Sequence, residues 1–179
     1  NIPTSVFHAL IDAVNANLAP LHKWTEIRKR VLGIDTLYSW DQYVPLVTGF
    51  DKEYSYEEAQ KMVVEALEPM GEKYLADFNK GFEPGSGWID VYETQGKGSG
   101  AYSWGTYSSH PYVLLNHSGS LEDVFTLAHE MGHAMQSFYV NQNEPYVYEG
   151  YSLFQAEVAS TCNEALMMKY MLEHAADKK

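Results

Sequence analysis

The sequence predicts a mainly α protein with a small β-sheet, an α+β arrangement in which a histidine-bearing helix packs beside the sheet. Three observations predict it. Apolar residues recur at three- and four-residue spacing over roughly the first eighty positions and again over the last sixty. Between them, glycine is dense from Gly81 to Gly105, too dense to sustain a helix. Two short runs rich in β-branched and aromatic residues fall in or just after that glycine-dense stretch.

Each element has a local reason. Pro3-Thr4-Ser5 offers a cap for a first helix carrying Val6, Leu10, Ala13, Val14 and Asn17 on one face. Pro20 suits the first turn of a second helix with an apolar face of Leu21, Trp24, Ile27 and Val31, and Gly33 supplies its left-handed stop. "SWDQYVPLVTGF" is aperiodic and reads as a connection packed by aromatics. Ser55-Tyr56-Glu57-Glu58 is a capping box, opening a helix with Ala59, Met62, Val63, Ala66 and Leu67 together. Pro69 begins or kinks the next, which carries Met70, Tyr74 and Phe78 as far as Gly81. Trp88 to Tyr92 and Tyr112 to Leu115 read as strands; the glycines between them fit a flexible loop and a backbone approached by a ligand equally well. Ser120-Leu121-Glu122-Asp123 caps a helix running through Val124, Leu127, Ala128, Met131, Ala134, Met135 and Phe138 to about Val140. "NQNEPY" turns the chain into a final helix from about Ser152 to Ala176. The expected organisation is one domain in three segments: 1–81 helical, 82–118 glycine-rich strand and loop, 119–179 helical.

Charge narrows the partners. A formal net charge of −12 and a pI near 4.9 repel phosphate backbones and anionic lipid, which argues against nucleic acid and membrane surfaces and mildly favours peptides with basic groups. No stretch approaches the roughly 18 apolar residues of a membrane span. The N-terminal residues lack a basic-then-apolar pattern, so no secretory signal is expected there. The single cysteine, Cys162, excludes an internal disulfide and suits a cytoplasmic location; a small buried apolar residue is the expected role.

"HEMGH", His129 to His133, carries the chemistry. On a helix, residues four apart lie one turn above each other with Cβ atoms about 5–6 Å apart. Both imidazoles can therefore meet at one tetrahedral zinc, one ion per chain. Glu130 is rotated about 100° from His129, beside the ion, where a carboxylate can take a proton from the attacking water. Chance alone produces H-E-x-x-H in about two or three such chains per hundred, so a third ligand decides the matter. Glu157, 24 residues beyond His133 on a separate helix, is the candidate, with Glu149 in the turn as its rival. Two imidazoles and one carboxylate leave the fourth position open, as in catalytic sites. Glu164, two turns past Glu157, is placed to accept the outer N–H of a ligand imidazole, or else is a solvated helix carboxylate.

The stretches "GSGAYSWGTY", "HPYVLLNHSGSLEDVFTLAHEMGHAMQSFY", "FQAEVASTCNEAL" and, at the N-terminus, "VNANLAPLHKWTEIRKRVLGIDTLYSWDQYVPL" resemble the oligoendopeptidase F group of the thimet-oligopeptidase-like zinc peptidases. The resemblance implies a zincin-like active-site helix beside a short sheet, with His129, His133 and Glu157 as zinc ligands and Glu130 as catalytic carboxylate. It also implies that the strand before that helix, Tyr112, Val113, Leu114, Leu115 and Asn116, takes a short peptide substrate as an added β-strand. The family's downstream histidine- and tyrosine-bearing segment, which helps stabilise the oxyanion, has no counterpart here. The chain is therefore expected to be part of a longer catalytic domain, whose remainder would be a partner. Loss of an oxyanion donor costs about 10²–10³ in turnover, so hydrolysis by this chain alone would be weak or absent.

The leading expectation is a zinc endopeptidase acting on short peptides. The alternative is a zinc-dependent peptide-binding or assembly module without catalysis. The plainest alternative is a helical domain whose histidines are structural.

Overall fold

A computed structural model describes residues 2–49 and 52–175. The chain divides into two compact units, 1–51 and 52–179, a boundary that falls inside the stretch the sequence groups as one helical segment.

The first unit holds α1 (Thr4–Ala16) and α2 (Ala19–Leu32), followed by a 3-10 turn at Ser39–Tyr43. Pro20 sits in the first turn of α2 and Gly33 ends it at φ 69°, the left-handed conformation that favours glycine. Pro3 occupies the cap position of α1, where no side chain caps the free amides. The apolar stripes on these helices are not core: Val6, Leu10, Val14, Leu21, Trp24 and Val31 are all exposed. Arg28 is the buried residue of the pair, its guanidinium donating to the carbonyls of Asp41 and Val44 at 2.7 Å each.

The second unit contains α3 (Tyr56–Ala66), α4 (Glu72–Asn79), α5 (Leu121–Asn143) and α6 (Leu153–His174), with strands β1 (Ile89–Asp90), β2 (Tyr102–Trp104) and β3 (Tyr112–Leu114). Ser55 and Glu58 form the expected capping box of α3, and Pro69 lies in a 3-10 turn ahead of α4. The end of the last helix expected at Ala176 lies outside the described residues. Helices α5 and α6 pack along each other, α3 lies across both, and the sheet rests on α5. Phe78, Leu67, Val63, Val124, Leu127, Met131, Met135 and Met167 are fully buried between them. Tyr74 and Phe78 stack toward Tyr139 and Phe82 around the same core.

The sheet order is β1-β3-β2. Strand β3 runs parallel to β1 and antiparallel to β2, with Ser103 opposite Val113. Val113 N–H donates to the Trp88 carbonyl on the β1 side at 2.7 Å. In an antiparallel pair the backbone groups of opposed residues point the same way relative to the gap, toward each other or both outward. Ser103 N–H and C=O therefore point away from β3, to the open edge of the sheet.

Candidate metal centre

Reciprocal caps start both site-bearing helices. Ser120 Oγ accepts from Asp123 N–H at 3.1 Å while the Asp123 carboxylate accepts from Ser120 N–H at 2.8 Å. At α6, Ser152 Oγ accepts from Gln155 N–H at 3.4 Å and Gln155 Oε1 accepts from Ser152 N–H at 3.0 Å. These caps satisfy first-turn amides that would otherwise lack partners and fix where each helix begins.

Two residues bring the helices together. Gly132 offers no side chain where the Ala159 carbonyl and Ser160 Cα of α6 come closest. The buried Asn163 donates from Nδ2 to the Ala128 carbonyl of α5 at 3.0 Å, which sets the register of one helix against the other.

The outcome is a compact triangle of donor atoms. His129 Nε2 and His133 Nε2 are 3.1 Å apart, and Glu157 Oε2 is 3.6 Å from the first and 3.7 Å from the second. A tetrahedral ion with bonds of about 2.0–2.1 Å separates its ligand atoms by about 3.3–3.4 Å, and the triangle brackets that spacing. Among the described residues this is the one group of three or more histidine, cysteine or acidic side chains close enough to share a metal ion.

The protonation pattern suits a ligand set. An ionised carboxylate can only accept, so with Glu164 Oε1 2.5 Å from His129 Nδ1, the proton lies on Nδ1 and the Nε2 lone pair turns inward. Glu164, read from sequence as either an acceptor for a ligand or a solvated carboxylate, is thus placed on the imidazole. Burial pushes His133 below its ordinary range, and His129 beside it does the same, which favours the neutral form that binds metal.

Glu130 is buried on α5, and its Oε2 has no hydrogen-bond partner among the described residues. Burial pushes its carboxyl above the usual range; the charge of Glu157 adds to this, while His129 and the Ser103 backbone oppose it. Two clefts open on the group. One, of about 470 Å³, is lined by His133, Glu157, Trp104, Tyr107, Ser137 and Tyr151. The other, of about 380 Å³, is lined by His129, Glu130, Glu164, Ala101 and Phe125. Glu149 lies in the wall of the first, away from the triangle.

The strand expected to receive a peptide does not offer an edge. Tyr112, Val113 and Leu114 form the central strand, hydrogen-bonded on both sides, so no third backbone can add there. Val113 and Leu115 are core residues, and Asn116 spends its amide on the carbonyls of Gly98 and Gly100 at 3.0 and 2.8 Å. The edges of the sheet are β1 and β2, and it is β2 whose Ser103 and Trp104 line the cleft with His133 and Glu157. This strand is not among those expected from the sequence in the glycine-dense stretch, and its signal is the alternation of Tyr102, Ser103 and Trp104. Cys162 is also corrected: it is exposed, in a groove that it lines with Met70, Tyr74 and Met135.

Among known proteins, the model of peptidase family M3 matches residues 1–179. The chain is 42% identical over 179 residues to oligopeptidase PepF of Bacillus subtilis, covering 100% of this chain and 26% of that protein. It is 42% identical over 178 residues to the oligoendopeptidase F homolog of Lactococcus lactis subsp. lactis, covering 99% of this chain and 29% of that protein. The crystal structure of a peptidase from Chlamydophila abortus matches with a TM-score of 0.83 at 42% identity, over 99% of this chain and 29% of that one. The chain thus spans between a quarter and a third of the length of these relatives.

Proposed function

This chain belongs to peptidase family M3, and on that premise we propose that it carries the zinc site of a metalloendopeptidase that hydrolyses short peptides. The observation that carries the proposal is the triangle of His129 Nε2, His133 Nε2 and Glu157 Oε2, with sides of 3.1, 3.6 and 3.7 Å. The donor set fits a zinc ion: two imidazoles and one carboxylate, with a cleft at the side left open.

When bound, the ion supplies Lewis acidity, polarising the scissile carbonyl and lowering the pKa of water to about 7. The remaining steps belong to this chain's side chains and backbone. Glu130, its basicity raised by burial, takes the proton of the attacking water and returns it to the leaving amine. Its unpartnered Oε2 is the atom free to do so. The outer edge of β2 holds the peptide extended: the Ser103 carbonyl accepts from its backbone, and Trp104 and Tyr107 flank its side chains. Backbone recognition of this kind is indifferent to sequence, which suits a peptidase that accepts varied short substrates.

Two measurements on the intact protein test this. Elemental analysis should find about one divalent metal per chain; its consistent absence leaves the histidines structural. Glu130→Gln should keep the metal and lose peptide hydrolysis, and undiminished turnover in that variant removes Glu130 from the chemistry. Metal occupancy and peptide affinity with no cleavage in the unaltered protein would instead favour a binding module.

A further inference from the structure

Resting on that metal site, we propose that Ser160 is the positioning residue of the third ligand, its hydroxyl holding Glu157 with Oε2 turned to the two imidazoles. Ser160 is fully buried in the seam between α5 and α6. Its Oγ lies 2.8 Å from Glu157 Oε2 and 3.1 Å from the Glu157 backbone carbonyl. A hydroxyl has one proton to give. The carboxylate is both the nearer acceptor and the charged one, and a charge-assisted bond is about twice as strong as a neutral one. The proton therefore goes to Oε2, the same oxygen that stands 3.6 and 3.7 Å from the histidine nitrogens.

Glu157 needs such a tether. Its side chain is 46% exposed, lies at the mouth of the larger cleft and has three rotatable bonds. Among the described residues, Ser160 is the one hydroxyl that donates to its carboxylate. The α6 backbone at Ser160 packs closely on Gly132 of α5, which places the fully buried side chain in the helix seam. Held there, the hydroxyl reaches the Glu157 carboxylate before any ion arrives. A carboxylate oxygen has lone pairs for both a hydroxyl proton and a cation, so the tether does not compete with ligation.

A purely structural serine would donate to the Glu157 carbonyl one turn back and have no influence on the metal. Zinc affinity separates the two roles. It is measured in the intact protein by competition with a chromophoric chelator, alongside the melting temperature of the metal-free form. Ser160→Ala should leave the metal-free melt within a few degrees and raise the zinc Kd about 10–100-fold, the range for loss of a group that orients a ligand. In a Glu157→Gln background the same change should alter Kd less than about twofold, because the tethered oxygen anion is gone. Ser160→Cys, similar in size and a weaker donor, should fall between, and it carries the test if the alanine variant does not fold. A zinc Kd unchanged by Ser160→Ala, or the same loss in both backgrounds, overturns the positioning role while leaving the metal site intact. An unaltered protein that takes up no zinc overturns both.

Discussion

Replacing Gly132 by alanine adds one methyl group where α5 meets α6. The new Cβ would fall 2.8 Å from the Ala159 carbonyl oxygen, 2.8 Å from Ser160 Cα and 3.1 Å from the Ala159 carbonyl carbon. Ordinary contact begins at 3.4 Å, so the helices must part by the difference, 3.4 − 2.8, or 0.6 Å. The obstructing atoms are backbone, and no rotamer change relieves them. Overpacking of this kind costs about 1–3 kcal/mol. Alanine in a helix interior recovers about 1 kcal/mol relative to glycine. The net loss is about 0–2 kcal/mol, and at about 2–4 °C per kcal/mol for a chain of this size the melting temperature should drop by up to about 8 °C. Metal binding should suffer more than stability. Glu157 rides on α6 within a turn of the contact, and a preorganised site tolerates displacements of only about 0.5 Å. Zinc affinity should fall at least about tenfold, read by chelator competition, while the far-ultraviolet helix signal persists. A melting temperature raised by the propensity gain, with zinc affinity unchanged, would refute the close helix contact and the role assigned to it.

Further outcomes follow from the same geometry. Glu164→Ala frees His129 Nδ1 and should weaken zinc binding about 10–100-fold, with a smaller effect on folding. Asp77 accepts from Lys73, Lys80 and the Tyr139 hydroxyl, and these bonds, led by that of Lys73, hold its carboxyl well below the usual range. A depressed carboxylate contributes stability above its unfolded value of about 3.9, lost as pH falls through the folded value. Urea melts should therefore show stability dropping below about pH 4, and a less steep drop for Asp77→Asn; parallel curves would exclude the cluster. A peptide bound along β2 exposes alternate amides to the strand, so N-methylation at every second position should raise KM about 2–10-fold per bond and at the intervening positions much less. A uniform effect along the peptide would argue against edge pairing.

The centre of the site was legible because its signals are local. The i, i+4 spacing of His129 and His133, the Ser120–Asp123 cap and the Ser152 start of the next helix are all written within a few residues. Glu157 could be named because it lies on the next patterned helix, across a turn from the histidines, whereas its rival Glu149 sits in the turn itself. Sheet order could not be read in this way. Strand β2 is three residues long in a glycine-dense stretch, and nothing local says that β3 lies between it and β1, so the edge was assigned to the wrong strand. Gly132 and Ser160 were invisible for a related reason: each matters through the opposite helix, and their proximity is a property of packing. Periodicity also misled. Leu10, Leu21 and Trp24 have the spacing of a core face yet are exposed, since a stripe records that a partner surface is wanted without naming it.

Strand β2 owes its shape to a loop that glycine composition would suggest is slack. Asn116 grips the carbonyls of Gly98 and Gly100, and the largely buried Lys97 binds the carbonyls of Asp90 and Tyr92 and pairs with the Asp90 carboxylate. At Gly98 and Gly100 the backbone is unobstructed by side chains, which lets Asn116 reach in. The ordering of that rim is thus completed during folding, so a peptide taken up on the proposed β2 edge would meet a stiff template and surrender only its own freedom. Speed of capture should then depend on how floppy the peptide is, with constrained extended sequences engaging faster than glycine-rich ones of equal length.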